Sequence, residues 1–512
     1  MKREIVISAT RRESRVALLE DGRLVELMFD RPDQGRLVGD IHLGRIEAVL
    51  PGIQAAFVDI GAEKAGFLHV SDLVPDGVPE AAGTGRGRSA RHPPIQTQVQ
   101  KGETILVQVT KEPIGTKGPR VTAQISLPGR FLVYMPFSDH IGVSRKIDQR
   151  DERARLRELA REIRPEGAGG LIVRTVGEEL NRERFAGEFG RLRKLWKKIE
   201  RRAGSSKAPA SVHREAKLVS GVIRDLFSDK LEALVVDNRG VHGEIVRYVR
   251  RVDPELESRI RLYTDPAPLF DGYDIEQQIA EAFRRRVSLP SGGHIVVEPT
   301  EALVSVDVNT GRFTGNRKRD PEETILRTNL DAAREVARQL RLRDIGGIIV
   351  VDFIDMESQE NRDRVLQEMR TRLGRDRART KALAVSDLGL VEMTRQRVRP
   401  SLYDTLTRGC EHCSGQGRVF TAPTVMRRVE RSLRRAAAAG KEKAILVRLH
   451  PEVALHVLEE EPDLLKRLRS RTRLRLEIRD DPLLREDEFR LLSGPAEDDV
   501  TARYDGRSAR AR

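Results

Sequence analysis

The chain has 512 residues, enough for several domains with substantial cores, and its 93 Lys and Arg outweigh 79 Asp and Glu to leave a formal charge of +14. A pI near 9.9 points to a polyanionic partner, nucleic acid first. No apolar run approaches the roughly 20 residues of a spanning helix, no signal peptide is expected, and only two Cys occur, which argues against a membrane-spanning or disulfide-stapled secreted protein; the cytoplasm is the expected compartment.

Between Gly39 and Asp59 apolar and polar residues alternate between Gly breaks, and the pattern resumes in GFLHVSDL and ETILVQVTKE. Short strands with glycine corners predict a small closed barrel over residues 38–118. The segment 74–100 is rich in Pro, Gly and Arg without periodicity, which predicts a disordered insertion in that barrel. Phe57 and Phe67 stand out in a chain that is 4% aromatic. On the face of an OB-type barrel they stack single-stranded bases; inside it they fill the core. The pattern leaves both readings open.

Residues 119–217 read as a second unit, with strands in LPGRFLVYMP and GLIVRTVG and a basic helix in GRLRKLWKKIERRAG. Leu192, Leu195 and Ile199 share one face of that helix, as expected of a surface helix docked on its own domain. Arg174 and Thr175 end an apolar strand, where a guanidinium and a hydroxyl can grip a phosphate together.

A third unit, from about 218 to 405, holds the most informative feature. Asp307 in ALVSVDVNTG and Asp352 in GGIIVVDFIDM interrupt runs of Val, Ile and Leu that read as strands buried on both faces. An unpaired carboxylate there is costly. Asp307 and Asn309, at i and i+2, project to the same side. Asp320 as N-cap, Pro321 in the first helical position and Glu323 completing a capping box predict a helix ending near Gly346 and Gly347, with Asp355 or Ser358 capping the next. This strand–helix–strand order brings Asp307 and Asp352 to neighbouring strand ends. There they either hold a divalent cation for phosphodiester chemistry or serve as salt-bridged structural acids.

Cys410 and Cys413 have zinc-knuckle spacing, and Gly415 and Gly417 permit its tight turn. Two thiols make half a zinc site. A second copy from another subunit completes it most simply, clamping a homodimer, with His412 outside the ligand set. The competing reading is a redox pair, which the Ser-Gly-Gln-Gly sequel does not favour. Beyond lies a smaller α/β unit, with a basic amphipathic helix packed through Val425, Val429 and Leu433, strands at KAILVRLH and RLRLEIR, and a polar tail after Gly494 expected to be disordered.

In their order along the chain, GRIEAVLPGIQAAFVDIG, GFLHVSDL, GLIVRTVG, LYTDPAPLF, LPSGGHIVVEPTEALVSVDVNTG, NLDAAREVARQLRLRDIGGIIVVDFIDM and LVEMTRQRVRPSL resemble the ribonuclease E/G family. The resemblance implies a multidomain α/β (α+β) chain. It places an RNase H-like subdomain at 1–37 and 218–282, an S1-type OB barrel at 38–118, a 5′-sensor at 119–217, a DNase I-like catalytic subdomain at 283–405, a zinc-link at 406–418, a small domain at 419–494 and a disordered tail at 495–512. It implies a single-strand-specific, Mg²⁺-dependent endoribonuclease of rRNA precursors and mRNA, stimulated by a 5′-monophosphate and leaving 5′-phosphate and 3′-hydroxyl ends. By position, Asp307 and Asp352 match its Mg²⁺ ligands and Asn309 the residue that orients them; Arg174 and Thr175 match the grip on the 5′-phosphate, with Gly129 and Val133 near it. Phe57, Phe67, Lys111 and Arg379 match RNA contacts, and Cys410 and Cys413 the Zn²⁺ link of a homodimer or homotetramer.

Glu411 stands where the family has Pro, the 74–100 insertion is extra, and the chain ends soon after the small domain, as in the shorter, ribonuclease G branch. The alternative is a non-catalytic RNA-binding assembly factor that keeps the barrel and the zinc clamp. Loss of Asp307, Asn309 or Asp352 would mark it, and all three are present.

Overall fold

The computed structural model describes residues 2–31, 37–73, 93–113, 117–144, 147, 149–178, 180–215, 218–227, 231–311, 321–386 and 388–506. They form two compact units, Met1–Thr405 and Leu406–Arg512.

The first unit opens with an antiparallel meander of β1 (Arg3–Ala9), β2 (Ser14–Glu20) and β3 (Arg23–Asp30). The barrel follows: β4 (Ile41–Leu50), β5 (Ala55–Asp59), β6 (Gly66–His69), β7 (Thr104–Lys111) and β8 (Arg120–Thr122) run in the order β4-β5-β6-β8-β7, and β4 closes on β7. Its fifth strand lies beyond the expected boundary at 118, because β8 pairs in parallel with β6. The expected disorder of 74–100 also needs correction. Residues 74–92 lie outside the described residues, but Ile95–Gln98 form a helical turn whose Ile95 is fully buried and packs with Val99 into the barrel core. Two apolar side chains at i and i+4 anchor this end of the insertion.

The next sheet joins β9 (Leu127–Pro128), β10 (Leu132–Met135), β11 (Ile141–Val143) and β12 (Gly170–Val173), with α1 (Arg150–Ile163) between the last two. Helix α2 (Arg182–Ser205) docks on it through buried Phe185, Phe189, Leu192, Trp196 and Ile199, the inward face anticipated from spacing. Strand β13 (Ala210–His213) then returns to pair with β4. Past α3 (Leu218–Leu226), β14 (Ala233–Val236) lies parallel to β1; α4 (Arg239–Val252) leads to β15 (Ile260–Leu262), completing the order β15-β14-β1-β2-β3.

The sheet that carries the acidic pair comprises β16 (Arg286–Ser288), β17 (His294–Pro299), β18 (Leu303–Asn309), β19 (Gly347–Asp352), β20 (Thr380–Val385) and β21 (Leu390–Arg395), in the order β16-β17-β18-β19-β21-β20. Helices α5 (Pro321–Leu342) and α6 (Gln359–Leu373) supply buried side chains to the same core as Val304, Val306, Val308, Ile349 and Val351. Here the expectation of strands buried on both faces fails. Val304, Val306 and Val308 are buried while Asp307 is exposed, and on β19 Ile348 stands 53% exposed beside buried Ile349. The helices cover one face, so the alternating residues of the other stay open and the carboxylates need no buried partner.

Asp320 lies outside the described residues. Helix α5 stops at Leu342 rather than at Gly346, because Asp344 turns to a left-handed φ of 52°. Its carboxylate holds that turn by accepting from Arg395 at 3.0 Å and Arg399 at 2.7 Å. Ser358, not Asp355, is the N-cap of α6, its hydroxyl accepting from the Asn361 amide.

The second unit holds α7 (Ala422–Ala439), with Val425, Val429 and Leu433 buried, against a small sheet in which Ala444–Leu449 lies parallel to Arg475–Asp480 and antiparallel to Phe489–Ser493. The tail expected to be disordered from 495 is structured to 506: Asp498–Asp499 add a short strand and Thr501–Tyr504 a helical turn. Val500 and Tyr504 are buried in the core, and the Tyr504 hydroxyl donates to Glu442 at 3.1 Å. Residues 507–512 lie outside the described residues.

Candidate active site

Strands β18 and β19 run parallel, with Asp307 directly opposite Asp352 at their C-terminal ends. Both side chains emerge on the open face, since their neighbours Val306, Val308 and Val351 fill the opposite one. Asn309 Nδ2 donates to Asp307 Oδ2 at 2.6 Å, which fixes the rotation of that carboxylate. Gly293, just before β17, lets the backbone pass close to the end of β18: a Cβ there would clash with the Asn309 carbonyl oxygen. Partial burial, then the charges of Asp307 and Asp355, hold the Asp352 carboxyl above the ordinary carboxylate range. Asp355 is a third acid beside the pair, and reading it only as a cap candidate concealed this. Adjacent like charges of this kind suit a divalent cation. Among the described residues no three His, Cys, Asp or Glu form a metal-binding group, so a cation held here would have only Asp307 and Asp352 as protein ligands and would need water or substrate for the rest, as Mg²⁺ commonly does.

Phe57 and Phe67 are cross-strand partners on β5 and β6, with ring centroids 6.1 Å apart in an edge-to-face arrangement. Neither belongs to the barrel core, and Phe57 is 36% exposed. The register continues from Phe67 to Arg120 on β8 and from Arg120 to Lys111 on β7, so two aromatics and two cations cross four strands. Sequence reading missed Arg120, which Asp72 holds through Nε at 3.1 Å and Nη2 at 2.8 Å.

Arg174 follows β12 and reaches back, donating through Nη1 to the Gly129 carbonyl at 2.6 Å and to Asp225 at 2.7 Å. Burial pushes the Asp225 carboxyl up, but Arg174 and Arg224 outweigh it and hold it below its usual value. Thr175 pairs its hydroxyl with Ser144 at 2.9 Å, and Val133 sits on β10 opposite Ile172. Arg379 is exposed just before β20 and makes no ion pair among the described residues.

Comparison with known proteins matches residues 126–398 to the model of the ribonuclease E/G family. The chain belongs to the ribonuclease E/G family. A second model, the RNase E/G thioredoxin-like domain, matches residues 409–494. Ribonuclease G of Salmonella typhimurium is 38% identical over 489 residues, covering 96% of this chain and 99% of that protein. Ribonuclease G of Haemophilus influenzae is 40% identical over 458 residues, covering 90% and 92%. Ribonuclease E of Nostoc is 41% identical over 390 residues, covering 75% of this chain and 55% of that protein.

In this family member the two thiols lie in a loop ahead of α7, not at a helix N-terminus where a redox pair is usually activated. The Gly417 amide donates to Cys413 Sγ at 3.2 Å, and this hydrogen bond, the main cause, lowers the Cys413 pKa below that of an ordinary thiol. Gly415 and Gly417 have φ values of 83° and 68°, the left-handed turn that wraps the sulfur. His412 lies 3.5 Å from Glu486. The thiol pair, with Cys410 exposed and Cys413 partly so, could supply two of the four ligands a structural zinc needs.

Proposed function

We propose that this chain is a Mg²⁺-dependent, single-strand-specific endoribonuclease acting on rRNA precursors and mRNA, stimulated by a 5′-monophosphate and leaving 5′-phosphate and 3′-hydroxyl ends. The observation that carries the reading is the register of Asp307 against Asp352 on an uncovered sheet face, with Asn309 fixing the first of them. The ribonuclease names of the relatives support it. In this reading β1–β3 with β14 and β15 form the RNase H-like subdomain and β16–β21 the DNase I-like one.

Asp307 and Asp352 would hold Mg²⁺, which supplies Lewis acidity to the scissile phosphate and a water of lowered pKa. Asn309 keeps the Asp307 oxygens aimed at the open face. Phe57 and Phe67 stack unpaired bases, Lys111 offers charge to the backbone, and Arg174 with Thr175 receives the 5′-phosphate while Asp225 holds the guanidinium in place. Cys410 and Cys413 supply half of a Zn²⁺ site shared between subunits.

Asp307→Asn or Asp352→Asn is expected to lower cleavage of single-stranded RNA by several orders of magnitude while RNA affinity in EDTA changes less than threefold, since neither carboxylate is a cationic contact to the strand. Parallel loss of cleavage and binding would sink the catalytic assignment in favour of a structural one.

A further inference from the structure

We propose that Arg286 and His294 form a subsite for a second phosphate of the RNA, adjacent to the one cleaved at Asp307 and Asp352. The proposal rests on the nuclease reading above. Strands β16, β17, β18 and β19 are successive neighbours. Arg286 pairs with Val296, Val296 with Asp307, and Asp307 with Asp352, so the arginine occupies the same level of the sheet as the two carboxylates. His294 faces Asn309 one step further along. Burial of Ile295 and Val297 puts His294 on the open face that carries the acids.

Arg286 Nη2 lies 3.3 Å from His294 Nδ1, and Arg286 is exposed with no carboxylate partner among the described residues. Its neighbour Arg285, by contrast, is paired with Glu298. A guanidinium donating to Nδ1 requires the imidazole proton on Nε2, so both side chains are hydrogen-bond donors. A cation at His294 would be repelled by Arg286, and an anion attracted. Two strand spacings, about 10 Å, separate the backbone of Arg286 from that of Asp307, a gap that an extended arginine and a neighbouring phosphate can span.

The test uses full-length protein and a single-stranded RNA whose cleavage site has been mapped. The phosphate on either side of that site is replaced, one at a time, by an uncharged methylphosphonate. Wild type should lose roughly 10- to 100-fold in kcat/KM at one of the two flanks, the scale of a charge-assisted hydrogen bond. Arg286→Ala should lose a similar factor on native RNA and nothing further on the neutralised substrate, with Arg286→Lys recovering part of the loss. His294→Ala should raise KM more than it lowers kcat. If the methylphosphonate costs Arg286→Ala as much as wild type, or if the variant equals wild type on native RNA, the subsite is overturned. Should wild type cleave no RNA at all, the nuclease reading falls separately, and equilibrium binding judges the subsite: Arg286→Ala must then reduce the salt slope of RNA affinity by about one.

Discussion

Arg174 is held in two directions at once, by the Gly129 carbonyl and the Asp225 carboxylate, and this preorganisation is what a phosphate grip requires. Asp225 also meets Arg224 Nε at 3.2 Å, so removing Arg174 leaves no buried acid unpaired. Arg174→Ala is therefore expected to stay folded and to bring the ratio of cleavage rates on 5′-monophosphorylated and 5′-triphosphorylated forms of one RNA close to unity. An unchanged ratio with intact folding would remove Arg174 from the proposed 5′-phosphate site. Positions of this kind are legible in sequence because a polar residue at the end of an apolar strand is a local signal. Their partners are not. Asp225 lies 51 residues away on α3, and Arg120 reads as one arginine among many until the register sets it beside Phe67 and Lys111.

The elements are joined by buried charge as much as by apolar packing. Glu26 on β3 accepts from Arg341 at the end of α5 at 3.1 Å and also from Arg377, tying the N-terminal meander to the sheet that carries the acidic pair. Burial alone would raise its pKa, but Arg377, Arg341 and Arg399 outweigh burial and bring it down to about 2. A folded pKa below the unfolded value of about 4.5 means that the stabilisation is complete above pH 4.5 and disappears as pH falls through about 2. Glu26→Gln should thus lower the unfolding midpoint at pH 7, by an amount corresponding to a few kcal/mol at most, and the gap to wild type should narrow steadily from pH 4.5 to pH 2. A gap independent of pH would show that Glu26 acts by packing alone. The same scale explains what the sequence concealed. Valine runs look alike whether one or both faces of a sheet are covered, and only the placement of α5 and α6 on one side leaves Asp307 and Asp352 exposed. Ile95, Val99, Val500 and Tyr504 are isolated apolar residues in polar surroundings, too sparse to form a period, yet each fills a core already built by its neighbours.

At the scale of the whole molecule, the two thiols are the feature that a single chain leaves incomplete. Cys410 is exposed, Cys413 is partly so, and no third His, Cys, Asp or Glu among the described residues completes a metal-binding group with them. Structural zinc takes four ligands, so in the proposed reading a zinc on this loop would draw the other two from a second copy, and one metal would serve two chains. Native mass measurement should find one zinc per two chains. Chelation should release the metal and halve the assembly, or split a tetramer into dimers held by the second unit, and Cys410→Ser should do the same without chelator. Thiolate ligands must lose their protons to bind, so acidification below neutrality should weaken the metal and dissociate the assembly together. An assembly that keeps its mass after the zinc has left would rule out the clamp while leaving the metal site in place, and two zincs per two chains would mean that each chain completes its own site.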